Sequence, residues 1–425
     1  MSVFDELQWR GMVNQTTHDE LAPRLSKERF VVYCGFDPTA ESLHIGHLLA
    51  IKGLCHFQRH GHQPIALVGG ATGLIGDPSG KSEERQLLSM EAIEANVAGI
   101  GAQLDRFLDF TGENAAKVRN NADWLGQWGL LEFLRDIGKH FSVNVLLSRD
   151  SVRQRLEERG QGMSYTEFSY TLLQSYDFLH LYDTEGCRLQ IGGSDQWGNI
   201  VAGMDLTRRL REGAETFGLT FPLVTKADGG KFGKTEAGTV WLSPERTSPY
   251  KFYQFWVNAP DADVVKFLRY FTFLEREAIE ELAKSVEEAP ERRAAQYKLA
   301  EEVTRWVHGE DELQKAIKAS NALFGGAIRG LDAATLEDVF SEAPSAERPR
   351  AELGEGRPLV EVLVDSGVVK SKGEARRLIQ NGGLYLNNER VTDEAAELNE
   401  NSLITDTMAV IRKGKKQYHL LRFTD

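Results

Sequence analysis

Short apolar runs alternate with stretches of helical periodicity through the first half of the chain. Residues 30–36 form a β-rich run, and residues 48–57 follow with apolar positions at helical spacing. Residues 65–68 have the length of a buried parallel strand, and a strand pattern at 189–193 precedes a helical stripe from Trp197. This alternation predicts an α/β domain with a doubly wound, Rossmann-like parallel sheet, whose ligands lie at the carboxyl ends of its strands.

The remaining pattern predicts further domains. Residues 89–160 are mostly helical in pattern and predict an insertion into the sheet domain, which spans 1–247. Apolar stripes predict an all-α domain over 248–325. Residues 341–356 carry two prolines and no apolar periodicity, which favours a linker, placed at 326–352. Residues 353–425 combine short helices with a β-rich end, which predicts a small α+β domain.

Composition excludes several classes of protein. The 425 residues are 41% hydrophobic and 27% charged, which is typical of a globular protein and of neither a disordered nor a membrane-spanning chain. The first 14 residues lack the pattern of a secretory signal, so we expect a cytoplasmic location. Three cysteines without a C-x-x-C pair argue against disulfides and zinc. The net charge of -13 argues against non-specific binding of nucleic acid.

The tetrad His-Ile-Gly-His at 44–47 is the sharpest chemical signal. It begins a predicted helix, whose first N–H groups and partial positive charge attract anions. His44 and His47 add hydrogen-bond donors, and Gly46 lets the backbone approach a ligand closely. The tetrad therefore predicts a phosphate site, although two histidines capping a surface helix are the alternative that it leaves open by itself.

A second segment, KFGKT at 231–235, lies between glycines and is predicted to form a mobile loop. Its two lysines, three residues apart, can reach the phosphates of a bound triphosphate. By itself such a loop would be a solvated turn. Its occurrence after the histidine tetrad favours a shared nucleotide site.

The glycine-rich stretch at 73–82, GLIGDPSGKS, is similar to a phosphate-binding P-loop but lacks its spacing. Only three residues separate Gly76 from Gly80, whereas a P-loop has four between its glycines. Pro78 also removes a backbone N–H that could bind phosphate. We therefore reject a Walker-type loop. The stretch still follows a predicted strand and faces the ligand crevice, unless it is only a turn with solvated charges. Candidates there for an ammonium group or for phosphates are Asp77, Lys81 and Arg85.

HIGH at 44–47 and KFGKT at 231–235 resemble the two signatures of class I aminoacyl-tRNA synthetases. Five motifs in the same order make nearly the whole chain similar to the bacterial tyrosyl-tRNA synthetases: YCGFDPTAESLHIGH, ALVGGATGLIGDPSGK, YDFLHLY, QIGGSDQWGN and FGKT. KFGKT departs from the KMSKS form of the class but keeps both lysines. The resemblance implies activation of L-tyrosine with ATP and its transfer to tRNA(Tyr). Mg²⁺ would accompany ATP as a substrate, with no metal-binding cage in the protein.

The resemblance also implies roles for residues of this sequence. Thr39, His44 and His47 would contact ATP in the transition state, and five side chains would close over pyrophosphate: Lys81, Arg85, Lys231, Lys234 and Thr235. Six residues would hold ATP or the adenylate: Cys34, Gly35, Asp37, Gly46, Gly193 and Asp195. The reaction needs positioning and charge neutralisation rather than a protein nucleophile, because the tyrosine carboxylate attacks the α-phosphate in line.

The predicted helix at 168–179 carries Tyr170, Gln174 and Asp177 on one face, at positions i, i+4 and i+7. The pattern alone indicates a solvent-facing stripe opposite an apolar one. By resemblance, this face lines the amino-acid pocket: Tyr170, Gln174 and Asp77 would hold the ammonium group, and Asp177 and Tyr33 the phenol hydroxyl, with Gln196 nearby. Phenylalanine lacks the hydroxyl group, so it would leave Asp177 and Tyr33 without a hydrogen-bond partner. Tyrosine-activating enzymes are the usual example of this effect.

The end of the chain is the least acidic part. Residues 351–425 have a net charge of -1, against -12 for the rest, so they repel RNA least. Eight basic residues cluster there at a helix start and around a glycine turn: Lys370, Lys372, Arg376, Arg377, Arg412, Lys413, Lys415 and Lys416. The segment resembles the small RNA-binding module first recognised in a ribosomal small-subunit protein, with a solvated basic hairpin as the alternative. Arg208 and Arg209 are candidates for acceptor-end contacts or for a solvated helix face.

Three other interpretations stay open. A tryptophanyl-tRNA synthetase would share the scaffold, although Asp177 with Tyr33 suits a phenol better. A nucleotidyltransferase also begins a helix with H-x-G-H, but it would not need the helical domain or the RNA-type tail. A non-catalytic RNA-binding relative should have lost signature residues, which are all present here. The resemblance further implies a homodimer formed through the inserted helical region, without a membrane partner.

Overall fold

The computed structural model describes residues 1–79, 88–149, 152–153, 163–225, 232–235, 238–323, 325–354, 356–414 and 417–424. The chain divides into two compact units: Met1–Arg246 with Pro260–Ala295, and Thr247–Ala259 with Gln296–Asp425. The predicted helical domain at 248–325 is therefore shared between the units, and the predicted domain boundaries stay a prediction. Five predicted site residues lie outside the described residues: Lys81, Arg85, Lys231, Lys415 and Lys416.

A six-stranded sheet forms the centre of the first unit. Its strands are β1 Gln15–Thr16, β2 Val31–Phe36, β3 Gln63–Val68, β4 Lys117–Asn120, β5 Cys187–Gly193 and β6 Phe217–Phe221. They lie in the order β1-β6-β5-β2-β3-β4, and every neighbouring pair is parallel except β1 with β6. The chain builds outward from β2 through β3 and β4, then returns to the other side of β2 with β5. This reversal confirms the predicted doubly wound fold and places a crevice at the carboxyl ends of β2 and β5.

Helices of the first unit pack around this sheet. In chain order, the described helices before the second signature are α1 Val3–Trp9, α2 Leu21–Leu25, α3 Leu48–Arg59, α4 Met90–Leu104, α5 Ala122–Leu125, α6 Leu130–Asp136, α7 Val143–Leu147, α8 Tyr165–Glu185 and α9 Trp197–Leu210. On α8, Leu172 and Leu179 pack with Phe133, Ile137 and Leu206, as the apolar stripe predicted. The opposite, polar face of α8 is thereby turned toward the carboxyl ends of the strands.

The predicted insertion contains a strand that the sequence pattern did not reveal. β4 lies inside 89–160 and pairs with β3, from Ile65 with Lys117 to Val68 with Asn120. The sequence of β4, Lys-Val-Arg-Asn, has no apolar run because the strand is at the edge of the sheet and only half-buried. Residues after β4 consequently reach the carboxyl edge of the sheet.

The last two residues of the second signature form β7 Lys234–Thr235, which pairs antiparallel with β8 Gly238–Thr239 in the first unit. Six helices follow: α10 Pro249–Val257, α11 Asp261–Phe271, α12 Arg276–Glu288, α13 Ala294–His308, α14 Glu310–Ala322 and α15 Ala333–Val339. α11 and α12 belong to the first unit, and α10, α14 and α15 to the second.

A second sheet organises the second unit. Its strands are β9 Ser345–Pro349, β11 Leu384–Leu386, β12 Glu389–Arg390, β14 Met408–Lys413 and β15 Gln417–Thr424, in the order β12-β11-β14-β15-β9. A separate pair joins β10 Arg357–Pro358 to β13 Glu397–Leu398, and two helices, α16 Leu359–Asp365 and α17 Lys372–Gln380, complete the unit.

The centre of this second sheet, at β14, is buried on both faces. Along β14, Met408 and Val410 pack with Leu336 and Phe340, whereas alternate residues, Ala409 among them, pack with α16 and α17. The segment predicted as a linker, 326–352, thus contains a helix and a strand. Its strand β9 has few apolar residues because it pairs with β15 at an edge of the sheet.

Among the described residues, no helix combines the length and the apolar character needed to cross a bilayer.

Candidate active site

A cleft of about 750 Å³ opens at the carboxyl ends of β2 and β5. It is lined by every predicted residue for tyrosine and for ATP or adenylate, together with three of the catalytic set: Tyr33, Cys34, Gly35, Asp37, Thr39, His44, Gly46, His47, Asp77, Tyr170, Gln174, Asp177, Gly193, Asp195 and Gln196. Residues from segments that are far apart in the chain therefore meet at the place where the sheet reverses its winding.

The two signature histidines cap the turn before α3. His44 accepts a hydrogen bond from the N–H of Gly46 at its Nδ1 (3.1 Å), and Nδ1 of His47 accepts one from the N–H of His44 (3.1 Å). The two rings lie 4.0 Å apart, centroid to centroid. Because Nδ1 is an acceptor in both rings, each neutral imidazole carries its hydrogen on Nε2, where it can donate to an anion.

The requirement for glycine at residue 46 comes mainly from His44. A Cβ atom added to Gly46 would lie 2.8 Å from Cε1 and 2.9 Å from Nδ1 of the His44 ring. The sequence suggested that a side chain here would occupy the ligand's space. In the structure it would first displace the imidazole.

The backbone of the second signature adjoins the first. A Cβ atom on Gly233 would lie 3.0 Å from Cγ1 of Ile45. The N–H of Val240 donates to the carbonyl of Gly233 (3.1 Å), and the carbonyl of Val240 accepts from the N–H of Ile45 (3.1 Å). The side chains of Lys234 and Thr235 lie outside the described part of the structure, so their predicted contacts with phosphates stay a prediction.

Asp177 and Tyr33 lie at the buried end of the cleft. Trp124 donates from Nε1 to one oxygen of Asp177 (2.8 Å) and Asn121 from Nδ2 to the other (3.0 Å). Burial nevertheless raises the pKa of Asp177 to about 7. Burial, and secondly the charge of Asp177, raise the pKa of Tyr33, and the hydroxyl of Tyr33 has no hydrogen-bond partner among the described residues. This end can thus offer an acceptor and a donor to one hydroxyl group.

Acidic and amide groups converge in the middle of the cleft. Gln196 donates from Nε2 to Asp77 (2.7 Å) and accepts from Gln174 (3.3 Å). Tyr170 donates from its hydroxyl to Asp37 (2.9 Å), and burial raises its pKa well above the usual value. Two carboxylates with amide and phenol groups around them form an environment that suits an ammonium ion.

Cys34 and Asp195 border the cleft where β2 and β5 end. Burial raises the pKa of the Cys34 thiol to about 12, so the group stays neutral and can serve only as a weak hydrogen-bond partner. A Cβ atom on Gly193 would lie 2.4 Å from Oδ1 of Asp195, so glycine lets this carboxylate sit against the end of the strand. A carboxylate beside a neutral donor suits the hydroxyl groups of a sugar.

Several residues of this site received no role from the sequence, among them Asn121, Trp124 and Gln190. Asn121 and Trp124, the partners of Asp177, follow the unrecognised strand β4, so nothing placed them at the carboxyl edge. Gln190 on β5 lines the cleft, and its Oε1 is buried without a hydrogen-bond partner in the described chain. A glutamine in the middle of a buried apolar strand was the signal that could have identified it.

The predicted RNA-contacting residues occupy different surroundings. Arg209, Lys370, Arg376 and Arg377 are exposed, as is Arg208, whose guanidinium pairs with Asp205 (2.7 Å). Lys372 pairs with Glu361 (2.6 Å) and Lys413 with Glu374 (2.9 Å). Arg412 is buried over the ring of Tyr385, 3.7 Å from guanidinium carbon to ring centroid. No contact with RNA is tested by this geometry, so these assignments stay predictions.

A doubly wound sheet with these two signatures at its switch point defines a class I aminoacyl-tRNA synthetase. The model of the family "tRNA synthetases class I (W and Y)" matches residues 25–325, and that of the "Tyrosine--tRNA ligase SYY-like C-terminal domain" matches residues 335–421. The chain belongs to this class I family.

The more specific family follows from full-length relatives. The chain is 57% identical to the tyrosine--tRNA ligase of Geobacillus stearothermophilus over 425 residues, which is 100% of both chains. It is 54% identical to that of Roseiflexus castenholzii over 99% of both. The C-terminally truncated mitochondrial tyrosyl-tRNA synthetase of Aspergillus nidulans has a TM-score of 0.67 and 32% identity, over 76% of this chain and 94% of that one. Within the class, the chain is therefore a member of the tyrosine--tRNA ligases.

A tryptophanyl-tRNA synthetase from Encephalitozoon cuniculi also matches in structure, with a TM-score of 0.52. At 13% identity over 73% of this chain and 86% of that one, this likeness shows only a shared fold. The tryptophan alternative thus keeps no support beyond the common scaffold.

Proposed function

We propose that this chain forms tyrosyl-adenylate from L-tyrosine and ATP in the cleft between β2 and β5, and then transfers the tyrosine to the 3′ end of tRNA(Tyr). The observation that carries this proposal is the meeting of Asp177 and Tyr33 at the closed end of a cleft whose open end holds His44 and His47. When the phenol of tyrosine is bound at the closed end and the triphosphate of ATP at the open end, the tyrosine carboxylate and the α-phosphate meet in the middle of the cleft.

At the tyrosine end, Asp177 accepts a hydrogen bond from the phenol hydroxyl, and Tyr33 donates one to it. Asp77, Tyr170 and Gln174 surround the ammonium group. Asn121 and Trp124 hold Asp177 from behind, because each donates to one of its oxygens. This fixed acceptor gives selectivity for tyrosine over phenylalanine, which would leave two buried polar groups unpaired.

At the ATP end, His44 and His47 donate from Nε2 to the phosphates as charge develops on them, and Thr39 assists them. Lys81, Arg85, Lys231, Lys234 and Thr235 neutralise the departing pyrophosphate. Cys34, Asp195 and the backbone at Gly35 and Gly193 hold the ribose of the adenylate. Magnesium enters with ATP as part of the substrate, which matches a reaction that depends on positioning and charge neutralisation.

Replacement of Asp177 by alanine tests the tyrosine assignment. Asp177→Ala should lower kcat/KM for tyrosine in ATP–pyrophosphate exchange by at least about 100-fold, because it removes the buried acceptor of the hydrogen bond from the phenol hydroxyl. Asp183→Ala is the matched control, since Asp183 lies on the same helix and pairs with Arg211 (2.5 Å) away from the cleft. Unchanged exchange in Asp177→Ala would contradict the proposal.

A homodimer formed through the insertion is supported by exposed apolar side chains. Leu130 and Leu131 on α6 are 74% and 81% exposed, and Val143, Val145 and Tyr165 are also mostly exposed. A group of exposed apolar side chains on neighbouring helices is typical of a surface that a partner covers.

Light scattering should give twice the chain mass of 47.6 kDa. Leu131→Asp should shift the mass toward the monomer, whereas Tyr297→Asp, at a half-exposed aromatic in the second unit, should leave it unchanged. A native mass of one chain would rule out the dimer.

A further inference from the structure

Trp241 lies directly against the first signature histidine. The two residues face each other across an isolated antiparallel bridge. Their rings are 6.0 Å apart, centroid to centroid, at an interplanar angle of 69°, which is the edge-to-face arrangement that aromatic rings prefer. Trp241 is not among the described residues that line the cleft, whereas its neighbour His44 is.

The backbone on both sides fixes this pairing. Ile45 donates to the carbonyl of Val240 (3.1 Å), and Leu242 donates to the carbonyl of Leu43 (2.9 Å). A slip of one residue would turn Trp241 to the other face of the bridge. The two hydrogen bonds therefore hold the indole ring beside His44.

A cation supports the indole ring from its face. The guanidinium carbon of Arg246 lies 3.6 Å from the centroid of the Trp241 ring, at a distance typical of a cation–π contact. On the imidazole, the N–H of Gly46 holds Nδ1. The His44 ring is thus restrained at one nitrogen by the backbone and along its side by Trp241.

We infer that Trp241 is a positioning residue for adenylate formation, which holds the His44 imidazole in the orientation from which Nε2 donates to a phosphate. This inference rests on the proposed role of His44. It also explains the tryptophan at residue 241, where the chain after the second signature pairs with the first signature. From there the indole reaches the imidazole of His44 without entering the substrate cleft.

A double-mutant cycle of Trp241→Ala and His44→Ala tests the inference, with ATP–pyrophosphate exchange as the readout. Trp241→Ala alone should lower kcat by about tenfold, the size of one favourable ring contact. The KM for tyrosine should not change, because the tyrosine pocket is not touched. In the His44→Ala background, Trp241→Ala should have no further effect, because the ring that it positions is gone.

Trp9→Ala is the matched control, because Trp9 is another half-buried tryptophan of the first unit with cationic neighbours, Arg10 among them, and does not line the cleft. Its effect should be the same with and without His44. Trp241→Phe, which keeps an aromatic edge, should retain most of the activity, and it carries the same cycle if the alanine variant does not fold.

The outcomes separate the inference from the proposed function. If His44→Ala leaves exchange unchanged, the proposed role of His44 fails. If His44→Ala lowers exchange, but Trp241→Ala lowers it by the same factor with and without His44, only the positioning role of Trp241 fails. A rise in the KM for tyrosine equal to the fall in kcat would likewise overturn it.

Discussion

At the scale of single residues, the site depends on side chains whose neighbours set their protonation and tautomer. Two backbone N–H groups hold Nδ1 of His44 and His47, which leaves the donor hydrogen on Nε2. At the other end of the cleft, burial acts against the hydrogen bonds from Asn121 and Trp124 and brings the pKa of Asp177 to about 7. One carboxyl group therefore titrates in the neutral range.

The raised pKa of Asp177 predicts a pH dependence of tyrosine binding. The charged carboxylate is the better acceptor for the phenol hydroxyl, and it is lost as the pH falls through about 7. The phenol has an ordinary pKa of about 10 and does not change between pH 8 and 6. The KM for tyrosine should therefore rise by about tenfold over that interval.

Pyrophosphate exchange at a series of tyrosine concentrations and pH values measures this effect. Asp177→Asn should bind tyrosine weakly and without this pH dependence, since it cannot ionise. A flat KM profile of the native chain between pH 6 and 8 would show that Asp177 is already charged throughout.

At the scale of elements, helix α3 joins the histidine turn to the sheet. All residues from Leu48 to Phe57 except Ala50 are buried, which fixes the direction of the turn that precedes the helix. Gly53 marks the closest approach, because a Cβ atom there would lie 2.3 Å from Cζ of Phe221 on β6. The apolar spacing of the sequence predicted this helix. It did not explain the glycine in the helix interior, which is needed to make room for a side chain about 170 residues away in the chain. At this position packing, rather than helix propensity, decides the residue type.

Two glycine-to-alanine substitutions separate helix propensity from packing. Gly53→Ala should destabilise the first unit by about 1–3 kcal/mol, because the added methyl group collides with a buried ring. Gly101→Ala in α4, where a Cβ atom would meet nothing within 4 Å, should stabilise it by about 0.5–1 kcal/mol. Thermal unfolding should show a lower Tm for the first variant and a higher one for the second. Equal shifts in the same direction would contradict this account.

At the scale of the whole molecule, the chain combines a unit that carries the cleft with a second unit that carries the basic residues near the C-terminus. In the second unit, Met408, Val410, Tyr418 and Leu420 share a core with Leu336. Deletion of residues 350–425 would therefore remove part of this core together with any RNA contacts. Substitution of exposed basic residues tests RNA binding more cleanly.

Arg376 and Arg377 on α17 are exposed and suit this test. The double variant Arg376→Ala/Arg377→Ala should lower kcat/KM for charging of tRNA(Tyr) by about tenfold and reduce the steepness of its salt dependence by about one to two in log–log slope. Pyrophosphate exchange should stay unchanged, because the cleft lies in the other unit.

The control is Lys284→Ala/Arg292→Ala, which removes the same charge from exposed positions of the first unit. It should leave charging unchanged. Equal losses of exchange and charging in the Arg376→Ala/Arg377→Ala variant would argue against an RNA-binding role for α17.

The sequence by itself determined the periodic elements and the chemistry. Apolar spacing located β2, β3, β5, α3 and α8, because burial of a strand or of one helix face requires that spacing. The motifs and the resemblance that they carry identified most of the polar residues of the cleft, because few residue types can meet phosphate, ammonium and phenol groups.

Only the tertiary structure decided which groups act on one another. It brought Asn121 and Trp124 behind Asp177, placed Trp241 beside His44, and turned a predicted linker into the edge strand β9. Edge strands and second layers of hydrogen bonds carry no periodic apolar pattern, and their partners are distant in the chain. Their arrangement follows from packing between elements, which a local sequence pattern does not record.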